Sequence, residues 1–391
     1  MNLLYLSGAP RVSTLPNAGT SGPRAHILGV IKGFETNGYN VHKAIAGDVI
    51  NINKQGNRNM AKQLSDSATK RMVADVFRLI YRYYFRLKFK RQNKEKYDIV
   101  YERLAAMQAL GQAFKSKNTL WVLETNAPLF YEANEARKST FLPRLIKYFE
   151  IKAYKECDYL VCISNKLKEI ILAEANIPEG KTIVMPNGVD IDKFNTQEIQ
   201  PKYNFPELTI GFVGTIQPWQ KLDFLFTAAA ELIKEGFQLK LLIVGDGIDS
   251  DRLKETPQTL NIENNVVFTG RVPWNEVPAY IKSFHVGYSA PEAMEIGLYV
   301  SPLKLYEYMA SGVPALASAT EDSKNLITHR KNGFLFQHGN INDLKQTIKD
   351  IINHKNELAD IGAAAKTEIL NNHTWEHRVK FLLTQINNSM H

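Results

Sequence analysis

Lys304 and Glu307 lie in the stretch SPLKLYEYMASGVPALAS (301–318). Three residues apart, they occupy neighbouring positions on a helix surface. A carboxylate on a helix that starts beside a cleft is suited to gripping sugar hydroxyls, and a free helix N-terminus is suited to gripping phosphate. The same two residues would also serve as a solvated ion pair on an ordinary core helix. The stretch predicts its own scaffold. Pro302 suits a first helical turn, where a missing N–H costs nothing. Leu305, Tyr306, Met309 and Ala310 give one apolar face, and Gly312 and Pro314 end the helix. Residues 313–317 then read as a short strand covered on both faces.

Other chemistry-bearing residues follow strand-like runs. Glu102 and Arg103 end a third run, and Glu124 and Asn126 follow a fourth, both pairs facing the expected cleft. Two carboxylates there could do acid–base work, or act as a partner of Arg103 and a ligand for a sugar hydroxyl. After the first run comes SGAPRVSTLPNAGTSGPRAH, with Gly8, Gly19 and Gly22 ahead of a helix starting near Arg24 and carrying His26. Such a loop could cradle a phosphate or be a plain strand-to-helix connection. Three metal-like patterns read more simply. Asp190 and Asp192 follow a strand-ending Asn-Gly turn and suit an Asx-capped turn. His373 and His377 in HTWEH have no evident third ligand. Asp246, Asp249 and Asp251 suit helix capping, since Pro257 stands where a calcium loop needs its bidentate glutamate.

These residues need two scaffolds. At 391 residues the chain exceeds one ordinary core. Strand-like runs at 3–6, 40–46, 99–102, 120–124, 159–163 and 183–186, then at 210–213, 241–244, 266–268, 286–289, 313–317 and 333–336, alternate with amphipathic helices. That predicts an α/β protein with two Rossmann-like parallel sheets. Ligands of such sheets bind at the carboxyl ends of the strands. The expected domains are 1–191 and 208–372, with a polar linker at 192–207 and a last helix at 373–391. Composition is ordinary, at 44% apolar and 23% charged. No secretory leader or membrane span is expected, and Cys157 and Cys162 fit a reducing, cytoplasmic setting.

The net charge of +8 is concentrated. Between 70 and 96 stand Lys70, Arg71, Arg78, Arg82, Arg86, Lys88, Lys90, Arg91, Lys94 and Lys96, against Asp75 and Glu95 only. Residues 71–88 predict a helix with Val73, Val76, Ile80, Tyr83, Tyr84 and Leu87 along one stripe and the arginines opposite. Two readings stand: a sheet-covering helix with a solvated basic face, or an anchor for an anionic membrane surface through residues 70–91. Nucleic acid is not expected, since no binding signature accompanies the charge.

Together, MPNGVDIDKF (185–194), IGFVGTIQPWQKLDFLFTAA (210–229), LLIVGDG (241–247), VVFTGRVPWNEVPAYI (266–281) and SPLKLYEYMASGVPALAS resemble the retaining glycosyltransferases of family 4. The resemblance implies a GT-B fold, two domains facing across a cleft with the last helix crossing back to the first. It implies that Glu307 holds the nucleotide ribose and that Ser301, Pro302 and Leu303 meet the diphosphate at the helix start. Arg271 and Val272 would frame the nucleobase, Gly245 would leave it room, and Gly19, Thr20, Ser21 and Gly22 would lie near the donor phosphates. His26, Arg103 and Asn126 would face the acceptor.

Three departures qualify it. The carboxylate usually found eight positions before Glu307 is replaced by Tyr299, with Glu292 or Glu295 as substitutes. Thr215 and Gln220 stand where an Arg and a Lys usually serve the diphosphate, so Lys304, helped by Lys221, is expected to supply the positive charge. The histidine usual near the anomeric centre falls in LETN, so Glu124 or Asn126 takes its place. The expected activity is transfer of a sugar from a nucleotide-diphosphate donor (UDP favoured, GDP open) to a hydroxyl acceptor, lipid-linked or small. It would proceed with retention and without a metal or other cofactor, Glu124 assisting an oxocarbenium-like transition state and domain closure excluding water. The departures also leave open a catalytically weak sugar-nucleotide-binding subunit, and the fold leaves open a sugar-nucleotide epimerase. The expected place is cytoplasmic, peripheral to the inner membrane face.

Overall fold

The computed structural model describes residues 1–16, 18, 21–50, 67–136, 138–194, 198–292 and 299–389. They form two compact units. The first comprises residues 1–186, 299–301 and 375–391, and the second residues 187–298 and 302–374. The stretch expected as a linker lies inside the second unit, because Phe194 is buried there and Tyr203 and Phe205 pack against the same core.

All twelve expected strands form. The first sheet holds β1 (Asn2–Ser7), β2 (Asn40–Ile45), β3 (Ile99–Arg103), β4 (Leu120–Thr125), β5 (Tyr159–Cys162) and β6 (Thr182–Val184), in the order β2-β1-β3-β4-β5-β6. The second holds β7 (Leu208–Val213), β8 (Leu239–Val244), β9 (Val266–Gly270), β10 (Val286–Ser289), β11 (Ala315–Ser318) and β12 (Gly333–Phe336), in the order β12-β11-β10-β7-β8-β9. Every pairing is parallel. The second is the Rossmann order and the first a flavodoxin-like order lengthened by a strand. Their topological switch points lie at β7/β10 and β1/β3.

The last helix, Trp375–Asn388, belongs to the first unit and packs on the Gly22–Thr36 helix. Glycine allows the approach: a Cβ on Gly29 would lie 2.0 Å from Trp375 Nε1, and one on Gly33 would lie 2.6 Å from Trp375 O.

The Ala68–Gln92 helix turns the opposite way from expectation. Val73, Val76, Ile80, Tyr83, Tyr84 and Leu87 face solvent, while Asp75, Phe85 and Phe89 are buried. Asp75 sets this rotation. Its Oδ2 accepts from Thr140 Oγ1 (2.9 Å), Phe141 N (2.8 Å) and Leu142 N (2.9 Å), and its Oδ1 takes the Arg78 guanidinium. Arg78 also donates to Ser139 O, and Arg82 donates to Met107 O while lying 4.4 Å from the Phe149 ring centre. Two of the four arginines read as a solvated face are therefore turned inward. Asp75→Ala would leave Phe141 N and Thr140 Oγ1 without their acceptor and Arg78 without its ion-pair partner, while Leu142 N keeps Thr140 Oγ1 and Arg78 keeps Ser139 O. It should cost about 3 kcal/mol, read as a lower urea midpoint; an unchanged midpoint would refute this account of the helix's rotation.

Candidate functional site

In the second unit the Leu303–Ala310 helix is fixed at the switch point by one phenol. Tyr308 Oη accepts from Val213 N, at the end of β7, at 3.0 Å and donates to Tyr288 O in β10 at 3.4 Å. The helix begins one residue later than Pro302, which serves as its N-cap position. It closes in a Schellman motif: Val313 N donates to Tyr308 O, Gly312 N to Met309 O, and Gly312 has φ +73°. The first-turn N–H groups, with Pro302 and Leu303, thus lie where doubly wound sheets bind ligands.

Lys304 points across that switch point. Its Nζ donates to Gln220 Oε1 at 2.8 Å and lies 3.9 Å from the centre of the Phe212 ring. Burial lowers its pKa to about 7, the nearby Glu307 opposing the shift. Glu307, one turn on, is raised to about 7 by burial, with Lys304 and Lys193 opposing. Among the described residues no hydrogen-bond donor reaches the Glu307 carboxylate. Lys304 does not pair with it; its Nζ donates to Gln220 instead.

The loops after β7 and β8 shape the floor. A Cβ on Gly245 (φ +128°) would lie 2.0 Å from Gly214 O, and one on Gly214 would lie 3.5 Å from Lys304 Nζ. Gly245 N donates to Gly270 O (2.9 Å), tying this floor to the end of β9, where exposed Arg271 and half-buried Val272 follow. Thr215 is exposed beside Gly214. Lys221 holds φ +51° at the start of the Leu222–Lys234 helix, and its Nζ pairs with Glu292 Oε1 at 2.8 Å. The helper cation and one substitute carboxylate therefore engage each other. Glu295, Gly19 and Thr20 lie outside the described residues.

The rival metal patterns resolve into ordinary contacts. Asp190 pairs with Lys193 (2.9 Å), His373 with Glu368 (3.0 Å), and Asp249 with Arg252 (2.6 Å). Asp249 makes no side-chain cap, against expectation. Among the described residues no three His, Cys, Asp or Glu side chains gather as a metal would require.

In the first unit, Ser7, Arg103 and Glu124 form one row across the carboxyl ends of β1, β3 and β4. Alternation along a strand sends Glu102 to the other face. There it accepts from Leu110 N (2.6 Å), Gly111 N (2.8 Å) and Trp121 Nε1 (3.1 Å), and burial raises its pKa to about 7. Glu102 is thus a buried cap of the Gly111–Ala113 turn and not a cleft carboxylate.

Glu124 is itself fully buried. Its Oε1 lies 2.5 Å from His26 Nε2 and accepts from Asn126 Nδ2 at 3.1 Å. Burial alone would raise its pKa, but His26, Arg103 and Asn126 together hold it below the usual value. As folded, Glu124 uses Oε1 to hold His26 and Asn126, while its Oε2 is buried without a hydrogen-bond partner. The His26 ring stands edge-on to Trp375 of the last helix at 4.9 Å. Ser7 Oγ and Arg103 Nε are buried without a hydrogen-bond partner, as expected of an edge that awaits a ligand. Ser21 caps the Gly22–Thr36 helix by accepting from Arg24 N, so the helix starts at Gly22. Ser301 and Tyr299 belong to this unit. Tyr299 Oη donates to Glu132 Oε1 at 2.9 Å, and Ser164 Oγ donates to Tyr299 O at 2.8 Å. Glu132 opens a π-helical turn, Glu132–Ala136, a geometry common at functional sites. Sequence spacing gave no sign of Glu132.

Two doubly wound parallel sheets, the second with a cationic helix start at its switch point, define a protein of the GT-B fold. Solved structures share it: sucrose-phosphate synthase from Thermosynechococcus elongatus (TM-score 0.70, 16% identity, 100% of this chain and 98% of that one) and Anabaena HepE in complex with UDP (0.65, 16%, 99% and 100%). Residues 195–368 match the model of glycosyl transferases group 1, and residues 21–193 match that of glycosyltransferase family 4. An Escherichia coli relative, UDP-Gal:alpha-D-GlcNAc-diphosphoundecaprenol alpha-1,3-galactosyltransferase, is 30% identical over 277 residues, 68% of each chain. The alpha-monoglucosyldiacylglycerol synthase of Streptococcus pneumoniae is 27% identical over 205 residues, 50% of this chain and 45% of its own. This chain belongs to the group 1, family 4 glycosyltransferases, and it is a glycosyltransferase. It spans about two thirds of the first of these relatives and under half of the second.

Proposed function

We propose that this chain transfers a sugar from a UDP-sugar (a GDP-sugar being the second choice) to an acceptor hydroxyl, with retention and without a metal. The observation that carries the proposal is Lys304, whose Nζ is held by Gln220 and the Phe212 ring at the β7/β10 switch point. There it can neutralise a departing diphosphate together with the first-turn N–H groups. Glu307, one turn on with its carboxylate uncommitted, holds the ribose. Val272 and the backbone beside Arg271 frame the base. The acceptor oxygen bonds to the anomeric carbon on the face from which the diphosphate leaves. The C–O bond to the diphosphate breaks, and the acceptor proton passes to the departing phosphate oxygen. Arg103 and Asn126 face the acceptor, with Asn126 oriented by Glu124. A lipid-linked acceptor is favoured, since one relative above is named for a diphosphoundecaprenol-linked saccharide and the other for a glucosylated diacylglycerol.

Thermal shift with UDP, GDP, ADP and their sugars identifies the donor, because a ligand that binds only the folded state raises Tm. Nucleotide release from that donor should then depend on added acceptor. Binding without release on any acceptor would favour a binding subunit, and isomerised free sugar nucleotide would favour an epimerase.

On this reading Glu132, held by Tyr299, replaces the carboxylate lost at position 299. Glu132→Gln and Tyr299→Phe should each lower turnover roughly tenfold, one hydrogen bond's worth, with affinity for the free nucleotide unchanged. Wild-type turnover in both would remove Glu132 from the reaction.

A further inference from the structure

Gln220 is buried at the end of a turn that does not need its side chain. The Pro218–Gln220 turn is held through its backbone: Gln220 N donates to Gln217 O at 3.0 Å, Tyr288 Oη to Lys221 O at 3.2 Å, and Glu292 N to Trp219 O at 2.7 Å. Among the described residues the Gln220 side chain makes one hydrogen bond, the one it accepts from Lys304 Nζ at 2.8 Å. An ammonium has donors only, so the amide must turn its oxygen to Lys304. Burying an amide for a single bond is a poor device for stability. The bond has to be explained by what it does to the lysine.

Lys304 reaches out from the Leu303–Ala310 helix on a four-carbon stem that is free to take several rotamers. Two contacts fix where its charge sits. Gln220 Oε1 takes one N–H, and the centre of the Phe212 ring lies 3.9 Å from Nζ. Neither partner is charged. A carboxylate at position 220 would hold the ammonium and cancel its charge, and a second cation would push it away. A neutral amide oxygen directs an ammonium and leaves its charge whole for a ligand. Hydrogen bonding to the charged form also helps the lysine keep its proton against burial. The other charges here are Glu307, one turn on, Lys193, which acts on Glu307, and Lys221, paired with Glu292 at 2.8 Å. None of them bonds to Lys304.

We propose that Gln220 is a positioning residue for sugar transfer: its amide oxygen aims the Lys304 ammonium at the departing diphosphate without neutralising it. The proposal rests on the donor-site reading given above and adds to it the group that directs the lysine.

Gln220→Met and Gln220→Glu, which keep the length of the side chain and change its chemistry, test it beside Lys304→Met. Gln220→Met should fold, since the turn is held by its backbone. It should lower kcat roughly tenfold, one hydrogen bond's worth, with KM for the donor changed less than about threefold. Gln220→Glu should lower kcat at least as much, because it cancels the charge. Gln220→Met combined with Lys304→Met should cost no more than Lys304→Met alone, because the amide acts only through the lysine. In the empty protein, NMR of 13C-labelled lysine, with Lys304→Met assigning the signal, should show Lys304 losing its proton at lower pH in Gln220→Met and at higher pH in Gln220→Glu. The pH at which donor affinity falls should move the same way in each; a packing role for Gln220 would move neither. Wild-type kcat in Gln220→Met, additive losses in the double variant, or a Lys304 titration unmoved by both substitutions overturns the proposal, and leaves the donor-site reading standing where Lys304→Met is itself impaired. Wild-type turnover in Lys304→Met overturns that reading, and this proposal with it.

Discussion

Lys304→Met is expected to lower turnover with a nucleotide-sugar donor by about 10²–10³-fold, the usual cost of removing one group that stabilises developing charge. Donor binding should weaken by only about tenfold, because the helix N–H groups and Glu307 remain. A second signature is specific to this lysine. Burial brings Lys304 to about 7 in the empty protein, whereas a diphosphate beside it would hold the proton. Between pH 7 and 9 the bound state therefore carries a proton that the empty state has lost. Donor affinity should fall as pH rises through that window, by up to about tenfold per unit, and calorimetry in buffers of different ionisation enthalpy should record proton uptake. Below pH 7 the lysine's contribution should flatten, leaving the opposite dependence of Glu307, which must lose a proton there to bind as a carboxylate, and in Lys304→Met the fall above pH 7 should vanish. A nucleotide-sugar is the right probe, since its diphosphate has no proton of its own to exchange there. Wild-type turnover in the variant, or an affinity independent of pH in the parent, would return the phosphate role to Lys221. Lys221 is the weaker choice because it is paired with Glu292 at the surface.

The sequence disclosed most of this arrangement because its signals are local. Each strand is an apolar run closed by glycine, proline or polar residues, and the Leu303–Ala310 helix carries its start, apolar face and stop within a dozen residues. What stayed hidden depends on distant contacts. The Ala68–Gln92 sequence has two stripes of helical period, and composition favoured burying the apolar one. Asp75 decides otherwise, through Thr140, Phe141 and Leu142, some 65 residues away in sequence. The Tyr299–Glu132 bond spans 167 residues and could not be read from spacing. The opposite fates of Glu102 and Arg103 are different. Adjacent strand residues point to opposite faces, so at most one of them could look into a cleft. The link from Lys304 to Gln220 was half visible: the missing cation could be seen in the sequence, whereas the hydrogen bond to Gln220 from a lysine 84 residues later could not.

Glu307 yields the prediction in which function and stability part. Glu307→Ala should weaken nucleotide binding by about 10–100-fold, the range for hydrogen bonds accepted by a charged group. Glu307→Gln, which keeps one acceptor oxygen, should fall between. Stability should move the other way. In the folded protein burial raises this carboxyl to about 7, from 4.5. Between those values the folded state holds a proton that the unfolded chain has released, so this group's contribution falls as pH rises from 4.5 to 7, and above 7 the buried carboxylate is a standing cost. Glu307→Gln should therefore raise the Tm of the empty protein at pH 8 and leave it nearly unchanged at pH 4.5, where the native carboxyl is already neutral. A residue kept for packing or for an ion pair with Lys304 would behave differently: its loss would lower Tm at pH 8. A binding carboxylate held unpaired in a half-buried site is stabilised when a ribose arrives, so adding the nucleotide should reverse the order of the two proteins, the wild type then melting higher. If the variant melts lower than the wild type at pH 8 without ligand, or binds nucleotide equally well, Glu307 is a structural residue and the donor site must be sought elsewhere along the carboxyl ends of β7, β8 and β10.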